Sequence, residues 1–190
     1  MENSLLIAGF GGQGIMTLGQ IIGYAATKSH LKATYYPSYG AEQRGGTANC
    51  AVVIADQEIG SPVRNKLNHI IAMNEPSFKR FEYNLIDQGS FFINSSLIKI
   101  TVKKEKANVY NIAASELAMD IANIHSANFV MLGAYIAATK ILDKNIVAET
   151  IDDYFTHKKE IAKISLIAFD EGFRQISKLG GKGCHDTTFK

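Results

Sequence analysis

From residue 3 to residue 27 the chain carries no charged side chain, and no acid occurs between Glu2 and Glu42. Within that stretch an apolar run at 4–10 (SLLIAGF) meets a cluster of glycines. Beyond it Ile15, Leu18, Ile22 and Ala25 recur at helical spacing. A buried strand, a glycine turn and an amphipathic helix open an α/β fold. The stretch has the length of a membrane span, but Gly9, Gly11, Gly12, Gly14, Gly19 and Gly23, with Gln13 and Gln20, would expose backbone to hydrocarbon. A secretory signal starts with basic residues, and here Glu2 follows Met1. The expectation is an unprocessed cytoplasmic chain with no membrane partner.

The 190 residues are 46% hydrophobic and 20% charged, which suits one sizeable globular domain. We expect a single domain over residues 1–179 and a polar tail at 180–190. Twenty basic residues against 18 acidic ones give a net charge of +2, too balanced to demand nucleic acid as a partner. Cys50 and Cys184 are the only cysteines. Two thiols make no disulfide framework and cannot hold an iron–sulfur cluster unaided.

Periodicity and breakers predict the remaining elements. A strand at 33–36 is stopped by Pro37, and a polar loop at 38–46 leads to a strand at 47–55. The short connection 56–59 suggests that this strand runs antiparallel to a neighbour. Further strands are expected at 68–73, 91–94 and 109–112, with a helix opened by Pro76 and reaching residue 83. Helices follow at 115–123, 128–142 and 147–178, the last broken near His157. The expected fold is a three-layer α/β/α sandwich with a mostly parallel but mixed sheet.

Residues 9–14 (GFGGQG) match G-x-G-x-x-G between a strand and a helix. A dinucleotide site also needs an acid closing the second strand, about 20 residues on, to hold a ribose. None is present. A P-loop needs Lys and Ser or Thr after the last glycine, where Ile15 and Met16 stand. Two readings remain: a turn that only packs strand on helix, or an anion site at the helix N-terminus. His30, His69, His125, His157 and His185 show no metal-ligand spacing, and no G-x-S-x-G elbow occurs. The carboxylates at 149–153 read as a solvated helix face.

Residues 9–15 (GFGGQGI) followed by 37–50 (PSYGAEQRGGTANC) resemble the gamma subunit family of 2-oxoacid:ferredoxin oxidoreductases. The stretches at 59–62 (IGSP), 73–77 (MNEPS) and 128–133 (NFVMLG) follow in the family's order, so the resemblance covers nearly the whole chain. SYGAEQRGGTAN and MNEPSF look most like the 2-oxoglutarate branch, with the indolepyruvate branch next. The resemblance implies a non-catalytic subunit in the oxidation of 2-oxoglutarate with coenzyme A to succinyl-CoA, carbon dioxide and two electrons. No cofactor is expected on this chain alone. Thiamine diphosphate, magnesium and iron–sulfur clusters would sit in alpha, beta and delta-type partner subunits, and the chain itself lacks a Gly-Asp-Gly thiamine signature.

The candidate interface or coenzyme A loops are Gly11, Gly12, Gln13 and Gly14 on one side, and Tyr39, Arg44, Gly45 and Gly46 on the other. Arg44 suits a phosphate or a partner carboxylate, or a tie to Glu42 within its own loop. Tyr39 is an interface anchor or a core tyrosine. Asn74 lines the sheet's carboxyl edge or shapes a turn. Gly133 serves close helix packing. If the first two strands are neighbours, the two loops should lie side by side at one edge of the sheet.

Overall fold

Alternation and helical periodicity give twelve elements, with one 3-10 turn at Glu82–Asn84, in a computed structural model that describes residues 1–40, 46–100, 102, 106–121 and 126–178. The strands are β1 (Glu2–Phe10), β2 (Lys32–Tyr39), β3 (Thr47–Ala55), β4 (Leu67–Ala72), β5 (Leu85–Asn94) and β6 (Asn108–Ile112). The helices are α1 (Ile15–Lys28), α2 (Glu75–Phe81), α3 (Ala114–Asp120), α4 (Ala127–Thr139), α5 (Lys144–Tyr154) and α6 (Lys159–Lys178). The expected break near His157 is the gap between α5 and α6. The 180–190 tail lies outside the described residues.

The sheet runs β2-β3-β1-β4-β5-β6. β1, β4, β5 and β6 are mutually parallel, and β3 is antiparallel to both β1 and β2. The sheet is mixed, and β3 runs antiparallel to its neighbours, as expected. The chain reverses on both sides of β3: the strands before and after the first reversal pair with each other, whereas the connection after Ala55 leads to β4 on the far side of β1. β3 folds back along β2 and fills the place beside β1, so the first two strands are not neighbours.

Pro37 does not stop β2, which continues to Tyr39 and pairs Pro37 with Cys50. The Gly40 N–H donates to Thr47 O at 2.9 Å, so even-numbered residues of β2 turn their N–H toward β3. Pro37 belongs to the odd set, which faces the open edge. Its missing donor therefore costs the ladder nothing. β5 likewise starts six residues before the expected 91, with Gln88 at φ +61° and a register shift opposite Leu67 and His69.

The two faces of the sheet are covered unequally. On the first, Leu5, Ile7, Val52, Ile54, Ile71 and Phe92 pack beneath α1, α3, α4, α5 and α6. α4 is almost wholly buried, and it crosses α6 at two glycines. A Cβ on Gly133 would lie 1.9 Å from Phe169 O, and one on Gly172 would lie 1.9 Å from Val130 O. Only glycine permits so close an approach. On the second face, Leu6, Ala8, Ile70, Phe91 and Ile93 pack against Phe78 of α2 and Ile98 from the segment after β5.

Candidate functional site

Neighbouring parallel strands whose helices depart to opposite faces leave a crevice at their carboxyl ends, where open α/β sheets bind ligands. β1 and β4 are such a pair: α1 joins the first core and Phe78 of α2 the second. The glycine loop follows β1 and Asn74 follows β4, so both lie at this crevice. The Asn74 amide donates to Gln13 Oε1 at 3.0 Å, while its own Oδ1 accepts from Ser77 N at 3.0 Å and caps α2. Asn74 thus does both things that its position allows. Gln13 Oε1 also accepts from Phe10 N at 2.7 Å, which folds the loop back on its strand.

The loop's backbone needs its glycines. Gly12 and Gly14 sit at φ +95° and +72°, where a side chain is strained. A Cβ on Gly14 would also lie 2.2 Å from Asn128 Nδ2, and that amide donates to Gly14 O at 3.3 Å. Gly14 caps α1 without a side-chain hydrogen bond, and the first turn of α1 holds no acid. An anion approaching this terminus meets no competing carboxylate on the helix.

Gly11, Gly12 and Gln13 line a cleft of about 420 Å³ with Met73, Leu97, Ser115, Met119, Ala127 and Asn128. That volume suits a small molecule or part of a larger one. Ser115 is held from behind: Asn94, fully buried, donates to Ser115 Oγ at 3.0 Å and accepts from Ser115 N at 3.4 Å. No lining residue titrates near neutral pH, and the Ser115 hydroxyl has no base beside it among the lining residues. The cleft can hold and orient a group, but it offers no acid–base pair to work on one.

Titratable groups with displaced pKa values lie elsewhere. Burial pushes the Cys50 thiol up to about 12, and Cys50 donates to Ile15 O at 3.4 Å, so it is an inert core thiol. Burial lowers His69, on the first face of β4, to about 4. Among the described residues no cluster of His, Cys, Asp or Glu suits a metal ion. Glu149 and Asp153, expected as a solvated face, are exposed and share Lys28.

The last residue of the second predicted loop, Gly46, meets the first loop, although β1 and β2 are not adjacent. The Gly11 N–H donates to Gly46 O at 3.0 Å, because β3 begins at the edge where β1 ends. Tyr39 is 61% exposed at the end of β2, so it is not a core tyrosine. Arg44 and Gly45 lie outside the described residues. Sequence reasoning missed Ser115, Asn128 and Asn94 as parts of the site. One signal was available: Asn128 is a lone amide opening the apolar helix ANFVMLGAYIAAT.

The sequence pattern of the pyruvate ferredoxin/flavodoxin oxidoreductase family matches residues 4–175. The ketoisovalerate oxidoreductase subunit VorA of Methanothermobacter thermautotrophicus is 34% identical over 90% of this chain and 36% of its own length. The 2-oxoglutarate synthase subunit KorC of Methanothermobacter marburgensis is 30% identical over 96% of this chain and 100% of its own length. Among solved structures, the 2-oxoglutarate:ferredoxin oxidoreductase from Magnetococcus marinus, with 2-oxoglutarate, coenzyme A and succinyl-CoA bound, matches at a TM-score of 0.87 and 22% identity. That match takes in 100% of this chain and 32% of the other, so this chain spans about a third of two of these relatives and the full length of the third. No described helix is long and apolar enough to cross a membrane.

Proposed function

We propose, from the premise that this chain belongs to the pyruvate ferredoxin/flavodoxin oxidoreductase family, that it is the gamma-type subunit of a 2-oxoglutarate:acceptor oxidoreductase. The assembly would convert 2-oxoglutarate and coenzyme A to succinyl-CoA and carbon dioxide, passing two electrons to a low-potential acceptor. The observation that carries this reading is the match to a 2-oxoglutarate synthase subunit that covers 96% of this chain and all of the relative. In a ketoisovalerate relative the same region is one part of a longer chain. That relative is the more identical of the two, so a branched 2-oxoacid is the second reading.

This chain's own share is non-catalytic. Thiamine diphosphate and iron–sulfur clusters find no fitting ligand set among the described residues, since Cys50 is sealed in the core and no acidic or histidine cluster forms. Those groups fall to alpha, beta and delta-type partners. What this chain offers is the cleft at the end of β1. There the α1 N-terminus and the glycine backbone face an anion, Gln13 and Asn74 fix the loop, and Ser115 and Asn128 bound the other side. Coenzyme A, with its phosphates, is the substrate of that chemistry.

The test is purification of the complex through a tag on this chain, with the subunits encoded beside it co-expressed. Coenzyme A-dependent viologen reduction should be fastest with 2-oxoglutarate, and the isolated chain should show none. Preference for 2-oxoisovalerate would establish the second reading. Turnover by this chain alone would overturn both.

A further inference from the structure

Among the described residues the second sheet face is covered only in part. α2 packs over β1 and β4, whereas beyond them Tyr36 stands opposite Ala51 and Ser38 opposite Asn49, all at least partly exposed. Tyr36 is 49% exposed although it projects from a sheet face. Arg80 borders this patch from α2, its Nη1 donating to Thr47 Oγ1 at 3.3 Å and its guanidinium 5.3 Å from the Phe81 ring. Of the three described arginines, Arg64 is paired with Glu2 and Arg174 with Glu171, while Arg80 makes no ion pair with a described residue.

We propose that this patch is a docking surface for a different subunit, which places a carboxylate on Arg80 and packs against Tyr36. The inference rests on the reading of this chain as one subunit of a larger assembly, and adds which face is covered and by what chemistry. Tyrosine and arginine, here at the two ends of one exposed patch that runs from Ala51 to Thr47 along β3, are residue types enriched at interfaces over open surface. The guanidinium fork matches a carboxylate in two parallel hydrogen bonds. A second copy of this chain fits less well. A two-fold contact through this face would bring like patches together, and Tyr36, Ser38, Thr47, Asn49 and Ala51 supply no acid for Arg80. Edge-to-edge pairing through β2 is interrupted at Pro37.

The experiment places a photo-crosslinking benzoylphenylalanine at position 36 of the tagged chain within the co-expressed complex, and identifies the linked peptide. A link to another type of subunit, in a peptide carrying Asp or Glu, is the expected result. Arg80→Glu should then lower the recovery of that subunit roughly tenfold without changing the melting of the purified chain, and a carboxylate-to-lysine change in the linked peptide should restore it. A link to a second copy, an intact complex with no link, or full recovery with Arg80→Glu would each overturn the proposal. The crosslink reads coverage of this face whatever oxoacid the complex oxidises, so it can fail while the substrate assignment stands, and the reverse.

Discussion

The two faces of the sheet solve the same burial problem with unequal means. The first is closed by five helices, and the α4–α6 crossing there brings backbone against backbone at Gly133 and Gly172. Among the described residues the second is closed by one seven-residue helix and a few apolar side chains, and it stays partly open around Tyr36. A face packed to backbone contact has no slack for a side chain and no room for a partner. A thinly covered face retains surface for association.

Breaking the thick face should have the largest effect. Gly172→Val forces a branched side chain into Val130 O, where even a Cβ would sit at 1.9 Å, so the helices must separate. We expect a loss of more than about 5 kcal/mol, read as insoluble protein or a collapsed denaturation midpoint. A midpoint like that of the wild type would show that the crossing is looser than described.

Phe78→Ala probes the thin face. Phe78 is 1% exposed and its ring lies 5.2 Å from that of Phe91, so truncation should cost about 3–5 kcal/mol at the upper limit of a collapsible site. With so little above it, this layer can settle into the space. A loss near the low end would sharpen the contrast, and a loss matching that of Gly172→Val would erase it.

Acid separates the faces by chemistry. His69 faces the first core, between Phe92 and Tyr135, and its folded pKa is held near 4, against 6.5 for the free side chain. A depressed folded value means that the unfolded chain takes up the proton first. The stability contributed is present above pH 6.5 and is lost as pH falls toward 4, by about 3 kcal/mol. Urea titrations at pH 7 and pH 4.5 would show the loss, and His69→Gln should flatten it. An equally steep acid limb in that variant would assign the effect to other groups.

The smallest effect on the fold should come from Arg44→Ala. Melting of the isolated chain should stay close to that of the wild type, while subunit recovery or the Michaelis constant for coenzyme A worsens. Unchanged values on both counts would reduce Arg44 to a tie within its own loop.

Legibility followed the range of the interactions involved. The strand at 47–55, the helix after the glycine loop, the break near His157 and the turn at 9–14 were all readable, because each rests on the conformational preferences of neighbouring residues. The start of β5 was not. Asp87, Gln88 and Gly89 interrupt its apolar run, and only pairing with β4 carries the strand through them. Pro37 misled for the same reason, since its effect depends on which way its missing N–H faces.

By itself the sequence determined the kind of fold and the place of the glycine loop, since residue types and short spacings settle these. Tertiary structure decided that β3 enters between β1 and β2, and so carried Gly46 to Gly11 by a route that strand adjacency does not provide. It also brought Asn128 to Gly14 across 114 positions of chain, and Asn94 to Ser115 across 21. Such contacts are fixed by sheet register and helix crossing, which sum many weak, distant interactions. No local window of residues contains them.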